Sequence, residues 1–169
     1  MSEDLQQVGE RCRALLKGTK SVHLASVDVN GQPFASYAPF VASGSNIYIL
    51  ISELAEHCQN LQRRGAVSML FVEDESLSSN VFARQRLSMQ GVAVQVARDT
   101  DEAEVILSQM EQLLGKTVGL LRTLNDFCLF RLEPASARYI VGFGRAYNWC
   151  LERDVFEHVS AEVLKSGKG

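Results

Sequence analysis

The chain has 169 residues, a formal net charge of −3 and an apolar fraction of 46%. That is the size of a single domain, too apolar for a disordered chain and too acidic to suggest a nucleic-acid partner. No apolar run approaches the ~20 residues that span a bilayer. The charged opening MSEDLQQVGERCRALLKG has no signal-peptide core, so a soluble cytoplasmic protein with no membrane partner is expected. Cys12, Cys58, Cys128 and Cys150 are far apart and form no C-x-x-C pair. Buried free thiols in a reducing compartment are expected before a zinc site.

In chain order, 2–18 is expected as an amphipathic helix with Val8, Cys12, Leu15 and Leu16 on one stripe and Gly18 as its stop. Three apolar segments follow, 22–27, 33–41 and 47–52, separated by VNGQ and SGS. Asn-Gly between alternating runs predicts a hairpin whose central residues take positive φ. Leu54, His57, Cys58 and Leu61 then recur at helical spacing, Gly65 ends that short helix, and 66–72 returns to strand.

The segment 73–86 reads as a loop with a short helical turn. Glu73, Asp74 and Glu75 lead and Arg84 and Arg86 trail, in the order a helix dipole favours. Residues 86–96 alternate as a long strand in which Gly91 marks a bulge or bend. Thr100 or Asp101 caps a helix over 102–114, with the stripe Val105, Ile106, Gln109, Met110 and Leu113, and Gly115 ends it. A shorter helical piece covers 117–124. Strands follow at 127–132, ended by Pro134, and at 137–141. The tail from Asp154 reads as a short helix over Val155, Phe156, Val159 and Val163. About seven strands in short-loop order predict a mainly β (α+β) fold, a closed antiparallel barrel with helices at its rim.

Several residues stand out chemically. His57 sits on the short crossover helix beside Ser52 and Asn60, where helix N–H groups can help cradle an anion. Arg84 and Arg86 alternate to one side, as an anion clamp or as a solvated basic turn. Asp126, in LNDF, is good turn chemistry. Gly142 and Gly144 permit close backbone approach or a bend between strands. Tyr37 and Tyr147 line a pocket or belong to the core or an interface. His23 reads as structural or solvent-facing, and His158 as a surface or ligating imidazole on the tail.

The order DVNGQP, SYAPF, ILIS, LAEHCQNL, VSMLFVED resembles the FMN-binding split-barrel superfamily, of which pyridoxamine 5′-phosphate oxidase is the best-known member. FARQRL, NDFCLFRLEP and VGFGRAY resemble more narrowly its haem-utilisation branch, the HutZ/HugZ type. The resemblance implies one six-stranded split-barrel domain over 1–169, with the N-terminal helix 2–18 and a C-terminal tail 151–169. It also implies a homodimer with ligand sites at the subunit interface, haem in place of flavin and, in some members, oxidative opening of the porphyrin with an electron donor.

Carried onto this sequence, it implies cofactor contacts from Ser36, Tyr37, Ser52, His57, Asn60, Arg84 and Arg86. It implies a role for Asp126 in orienting an iron-bound imidazole. Flavin-using members hold the FMN phosphate with Arg and Lys, whereas here FASYAPFV carries neither, and Glu56 and His57 stand at the later turn. The iron-ligating histidine of the haem branch falls at or near Val163, so His158, five residues earlier, is the candidate ligand. Three readings stay open: a haem-degrading oxygenase, a non-catalytic haem carrier and an FMN-dependent oxidoreductase.

Overall fold

A computed structural model describes residues 4–142 and 145–159. Its elements are α1 (Leu5–Gly18), β1 (Ser21–Val27), β2 (Pro33–Ser43), β3 (Asn46–Ser52), α2 (Glu56–Arg64), β4 (Ala66–Val72), β5 (Arg86–Val96), α3 (Asp101–Leu114), α4 (Thr117–Leu121), β6 (Phe127–Ile140), β7 (Ala146–Cys150) and β8 (Val155–His158). The sheet order is β3-β2-β1-β4-β5-β6, and β3 also pairs with β6, so six strands close into an antiparallel barrel. β7 and β8 continue the sheet beyond β6. The chain divides into two compact units, one of 20–69 with 90–135 and one of 1–19, 70–89 and 136–169.

In the first unit the turn between β1 and β2 is built by Asp28 rather than by a tight Asn-Gly pair. Asp28 Oδ1 accepts from the N–H groups of Asn30 at 2.8 Å and Gln32 at 2.7 Å. Gly31 takes φ 82°, but the one described non-glycine residue with positive φ is Asp154, so Asn30 stays outside that region. An aspartate that bonds two amides ahead of it makes a wider loop without straining Asn30.

β3 is buried on both faces, which explains its unbroken apolar run. Tyr48 belongs to a cluster with Val41, Val96, Leu129, Val118 and the α3 residues Ala103, Ile106, Leu107 and Met110. The helix therefore buries 103, 106, 107 and 110, while Val105 and Leu113 are 64% and 57% exposed. The expected stripe is rotated: Ala103 and Leu107 take the inner places with Ile106 and Met110, packed with Tyr48, Val96 and Leu129. Glu102 anchors the helix: Tyr48 Oη donates to it at 2.9 Å, and the Arg131 guanidinium reaches both its oxygens at 2.7 and 2.8 Å. Thr100 is the cap, accepting from Ala103 N.

Two glycine expectations change. Gly91 is required by close approach, since a Cβ there would collide with the Glu133 carbonyl oxygen. Gly18 is the last helical residue of α1 rather than its stop, and Thr19 is the cap, with φ −99° and its hydroxyl on the Leu15 and Leu16 carbonyls.

β6 runs unbroken through Pro134 and joins the two strands expected at 127–132 and 137–141; β7 and β8, not expected as strands, bring the described strands to eight where about seven were expected. Pairing with β3 ends at Leu132 and pairing with β7 begins at Ala137. The missing N–H of Pro134 thus falls in the gap between two partners, where it removes no ladder bond on that edge.

In the second unit the expected helix at the tail is instead β8, paired with β7 from Cys150↔Val155 to Tyr147↔His158. Phe156 is the one buried residue of β8, with Val155, Glu157 and His158 exposed. Its ring stacks on Trp149 at 5.3 Å. A Cβ on Gly9 would lie 3.1 Å from the Phe156 ring, so α1 passes close to it at a residue without a side chain. Asp154 (φ 51°) accepts from Trp149 Nε1 and Arg13 Nη1 at 2.9 and 3.1 Å. The Val163 and Gly144 expectations lie outside the described residues. The 73–86 segment forms two single 3-10 turns, Glu75–Leu77 and Val81–Ala83; Asp74 caps the first by accepting from Ser76 N at 2.8 Å, and Arg84 pairs with Glu75.

Candidate functional site

Of the expected residues, Ser52, His57, Asn60 and Asp126 lie on or beside α2. β3 delivers Ser52, whose register partner is Phe127 at the start of β6. Ser52 Oγ donates to Asp126 Oδ2 at 3.0 Å and accepts from Leu54 N at 3.2 Å, while Glu53 N donates to the Asp126 carbonyl at 2.7 Å. Asp126 is therefore fixed by β3, with one carboxylate oxygen engaged by a serine. The turn that carries it is held by Arg98, which the sequence reading passed over. Its guanidinium donates to the carbonyls of Arg122, Leu124 and Phe127. Nothing local in VARDT signals this, because the partners lie 24 to 29 residues away.

α2 opens without a side-chain cap, as its N-cap is Ala55. Unpaired N–H groups at a helix start attract an anion. Glu56, in the first turn, opposes that. His57 is half-buried, and burial lowers its pKa, so the imidazole is neutral at neutral pH. Leu54 is 85% exposed beside it, an apolar surface with nothing on it.

Asn60 points the other way. It is 1% exposed, and its Nδ2 donates to Ser26 Oγ at 3.2 Å. Its Oδ1 and the buried Ser36 Oγ have no partner. Ser36 stands opposite Leu24 in β1, and Tyr37 opposite His23, with Tyr37 64% exposed. Tyr37 thus faces away from the half-buried Ser36.

The remaining candidates lie in the other unit. Arg84 is committed to its own loop: its Nε donates to the Glu73 carbonyl at 3.0 Å, its Nη2 donates to the same oxygen, and its Nη1 meets Glu75 Oε1 at 2.8 Å. Arg86 Nη1 donates to the Arg84 carbonyl at 3.1 Å. His158 is exposed on β8, edge-on to Tyr147 with ring centres 5.3 Å apart. A cleft of about 300 Å³ in this unit is lined by Leu5, Gln6, Gly9, Arg13 and the 154–156 strand start, and carries none of the expected residues.

The donor set fits the two cofactors unequally. The phosphate of FMN needs cations, and the α2 turn offers Glu56 and His57 instead. Haem needs an imidazole ligand and an apolar contact face; the α2 turn offers the exposed Leu54 and the fixed carboxylate of Asp126, and the exposed imidazole of His158 lies in the other unit. Among the described residues no cluster of three metal-ligating side chains exists, and no helix is long and apolar enough to cross a membrane.

The profile of the pyridoxamine 5′-phosphate oxidase family matches residues 8–141. The chain belongs to that split-barrel family. Within it, the sequence is 41% identical over 128 residues to the heme oxygenase HutZ of Vibrio cholerae, covering 76% of this chain and 73% of HutZ. The crystal structure of HutZ from Vibrio cholerae, described there as a heme storage protein, superposes with a TM-score of 0.71 at 38% identity, over 74% of this chain and 88% of that one. Campylobacter jejuni ChuZ superposes with a TM-score of 0.84 at 31% identity, over 95% of this chain and 65% of ChuZ. The haem-utilisation resemblance and the closed six-stranded barrel are thereby established for this chain.

Proposed function

We propose that this protein binds haem in haem utilisation, and that the α2 turn is part of the surface that receives it. The observation that carries the reading is the chemistry of that turn. Where a flavin phosphate would need cations, it presents Glu56, a neutral His57 and an exposed Leu54. Relatives named for heme oxygenase and heme storage support the same ligand. Haem, when bound, would supply a redox-active iron.

The chain's own residues have separable tasks in this proposal. His158, an exposed imidazole, is the candidate iron ligand, and Leu54 offers apolar contact to a flat ring. Asp126, held by Ser52 and by the Arg98-braced turn, presents a fixed carboxylate that can accept a proton or orient an imidazole. Tyr37, Arg84 and Arg86 remain proposed ligand contacts; for Arg84 that requires release from Glu73 and Glu75. Ser36, half-buried, and the buried Asn60 also remain proposed ligand contacts, through the unpartnered Ser36 Oγ and Asn60 Oδ1. Turnover requires an external electron donor, and its place is proposed to be the cytoplasm. We also propose a homodimer, because the outward face of β1 and β2 carries His23, Ala25, Ala35, Tyr37 and Pro39, all exposed and, His23 aside, small or apolar. The uncapped start of α2 favours an anion of some kind, so FMN is the second reading.

A hemin titration followed by absorbance, with FMN titrated alongside, tests this. A stoichiometric Soret shift, lost in His158→Ala, with no flavin binding is expected. Ascorbate and air then distinguish a haem-degrading enzyme from a carrier by loss of the Soret band. Tight FMN binding with loose hemin binding would overturn the proposal.

A further inference from the structure

The cleft of about 300 Å³ in the second unit has α1 as one wall and the start of β8 as the other. Its volume is at the lower end of pockets that hold small molecules. Its lining is divided in character. Leu5 and Val155, 46% and 40% exposed, join Phe156 in an apolar surface. Beside that surface stands the Arg13 guanidinium, with Gln6 and Asp154 as the other polar groups.

Arg13 is only partly engaged. Its Nη1 meets both Asp154 oxygens, at 3.1 and 3.2 Å. Its Nη2 lies over Gly9, 2.9 Å from where a Cβ would stand. Among the described residues, Nε and Nη2 meet no acceptor. Those two nitrogens form one edge of the guanidinium fork, spaced for the two oxygens of a carboxylate. Asp154 is held on the other edge, where its Oδ1 also accepts from Trp149 Nε1 at 2.9 Å. Its charge offsets part of the pull on an anion and opposes a second negative charge more than a first. A singly charged head is therefore favoured over a phosphate dianion.

We propose that this cleft binds a small apolar monocarboxylate. Its carboxylate takes the Nε–Nη2 edge of Arg13, and its hydrocarbon body covers Leu5, Val155 and Phe156. Covering exposed apolar side chains supplies affinity, and the fork supplies the preference for a carboxylate over an alcohol. Binding is non-covalent and involves no redox step. None of the residues proposed for haem lines the cleft, so the two proposals stand or fall separately.

The chain's single tryptophan stands beside the site. Trp149 is hydrogen-bonded to Asp154 and stacked on Phe156, both of which line the cleft, so its fluorescence reports occupancy. The full chain is titrated with octanoate, and its melting temperature is measured at each concentration. A saturable change in Trp149 emission is expected, half-complete at or below about 1 mM. The melting temperature should rise with it, whereas a detergent effect would lower it. 1-Octanol, of the same length without the charge, should bind about tenfold more weakly. Arg13→Gln should weaken octanoate by a similar factor, and Arg13→Lys, which keeps the charge but loses the fork, by several-fold. Leu5→Glu, a change at the exposed lip that leaves the Arg13–Asp154 pair in place, should also prevent binding. It serves as the test if the Arg13 variants do not fold. No saturable change up to ten times the expected half-point would overturn the proposal. So would equal binding of 1-octanol, or octanoate binding unaltered in the folded Arg13→Gln or Leu5→Glu chain.

Discussion

Arg98 lies between a strand end and a helix cap in sequence, yet its guanidinium binds three carbonyls of the turn that presents Asp126. Charged donors on carbonyls are the stronger kind of hydrogen bond. Arg98→Ala is expected to cost about 2 kcal/mol and to speed amide exchange over 122–127, read by denaturation and hydrogen exchange. If the proposed function holds, it should also weaken hemin binding without changing the Soret maximum. His57 gives a pH signature. Burial lowers its pKa below the usual 6.5, so the folded chain binds fewer protons at that position than the unfolded chain. Its contribution to stability is held above that pH and lost as pH falls through the lowered value. His57→Gln should therefore flatten the decline in melting temperature on acidification below about pH 6.5. His57 is legible as a candidate from its residue type and its place on the short helix, whereas Asp126 reads locally as turn chemistry and becomes a candidate only through the family resemblance. The Ser52–Asp126 bond is not legible, since it joins positions 74 apart.

Elements were read best where one face alone is buried. β4 and β5 have the bounds their alternation predicts, 66–72 and 86–96. The readings that failed involve a second layer or a short span. α3 offered several apolar residues, and only packing on Tyr48 and Leu129 decides that 103, 106, 107 and 110 go inside. β8 has four residues, too few for a period of two to outweigh a helical one, and Trp149 with Gly9 settles the matter through Phe156. Pro134 reads as a stop because the gap in its pairing is visible only in the register. Two glycines give a controlled comparison. Gly91→Ala places a methyl carbon against the Glu133 carbonyl and is expected to cost about 3 kcal/mol, as overpacking does. Gly18→Ala meets nothing within 4 Å and should be neutral or stabilising by a few tenths of a kcal/mol. Urea denaturation of both variants measures the difference.

At the scale of the molecule, an exposed face of small and apolar strand residues around Tyr37 motivates the proposed dimer. Light scattering should give twice the 18.7 kDa chain mass, and Tyr37→Lys, placing a charge in that face, should return it towards one chain. A single-chain mass for the unmodified protein would refute the dimer. The double burial of β3 has a further consequence, for how this sequence can vary. A strand wetted on one side can exchange every second residue freely, as the exposed Gln90, Val92 and Val94 of β5 permit. Between Ile47 and Ile51 there is no such free side, because alternate residues face either the barrel or α3. In a saturation library selected for folded protein, 47–51 should form a continuous block closed to charge, flanked by segments where tolerance alternates. The barrel would then drift at its rim and outer face while this one strand stays lexically frozen.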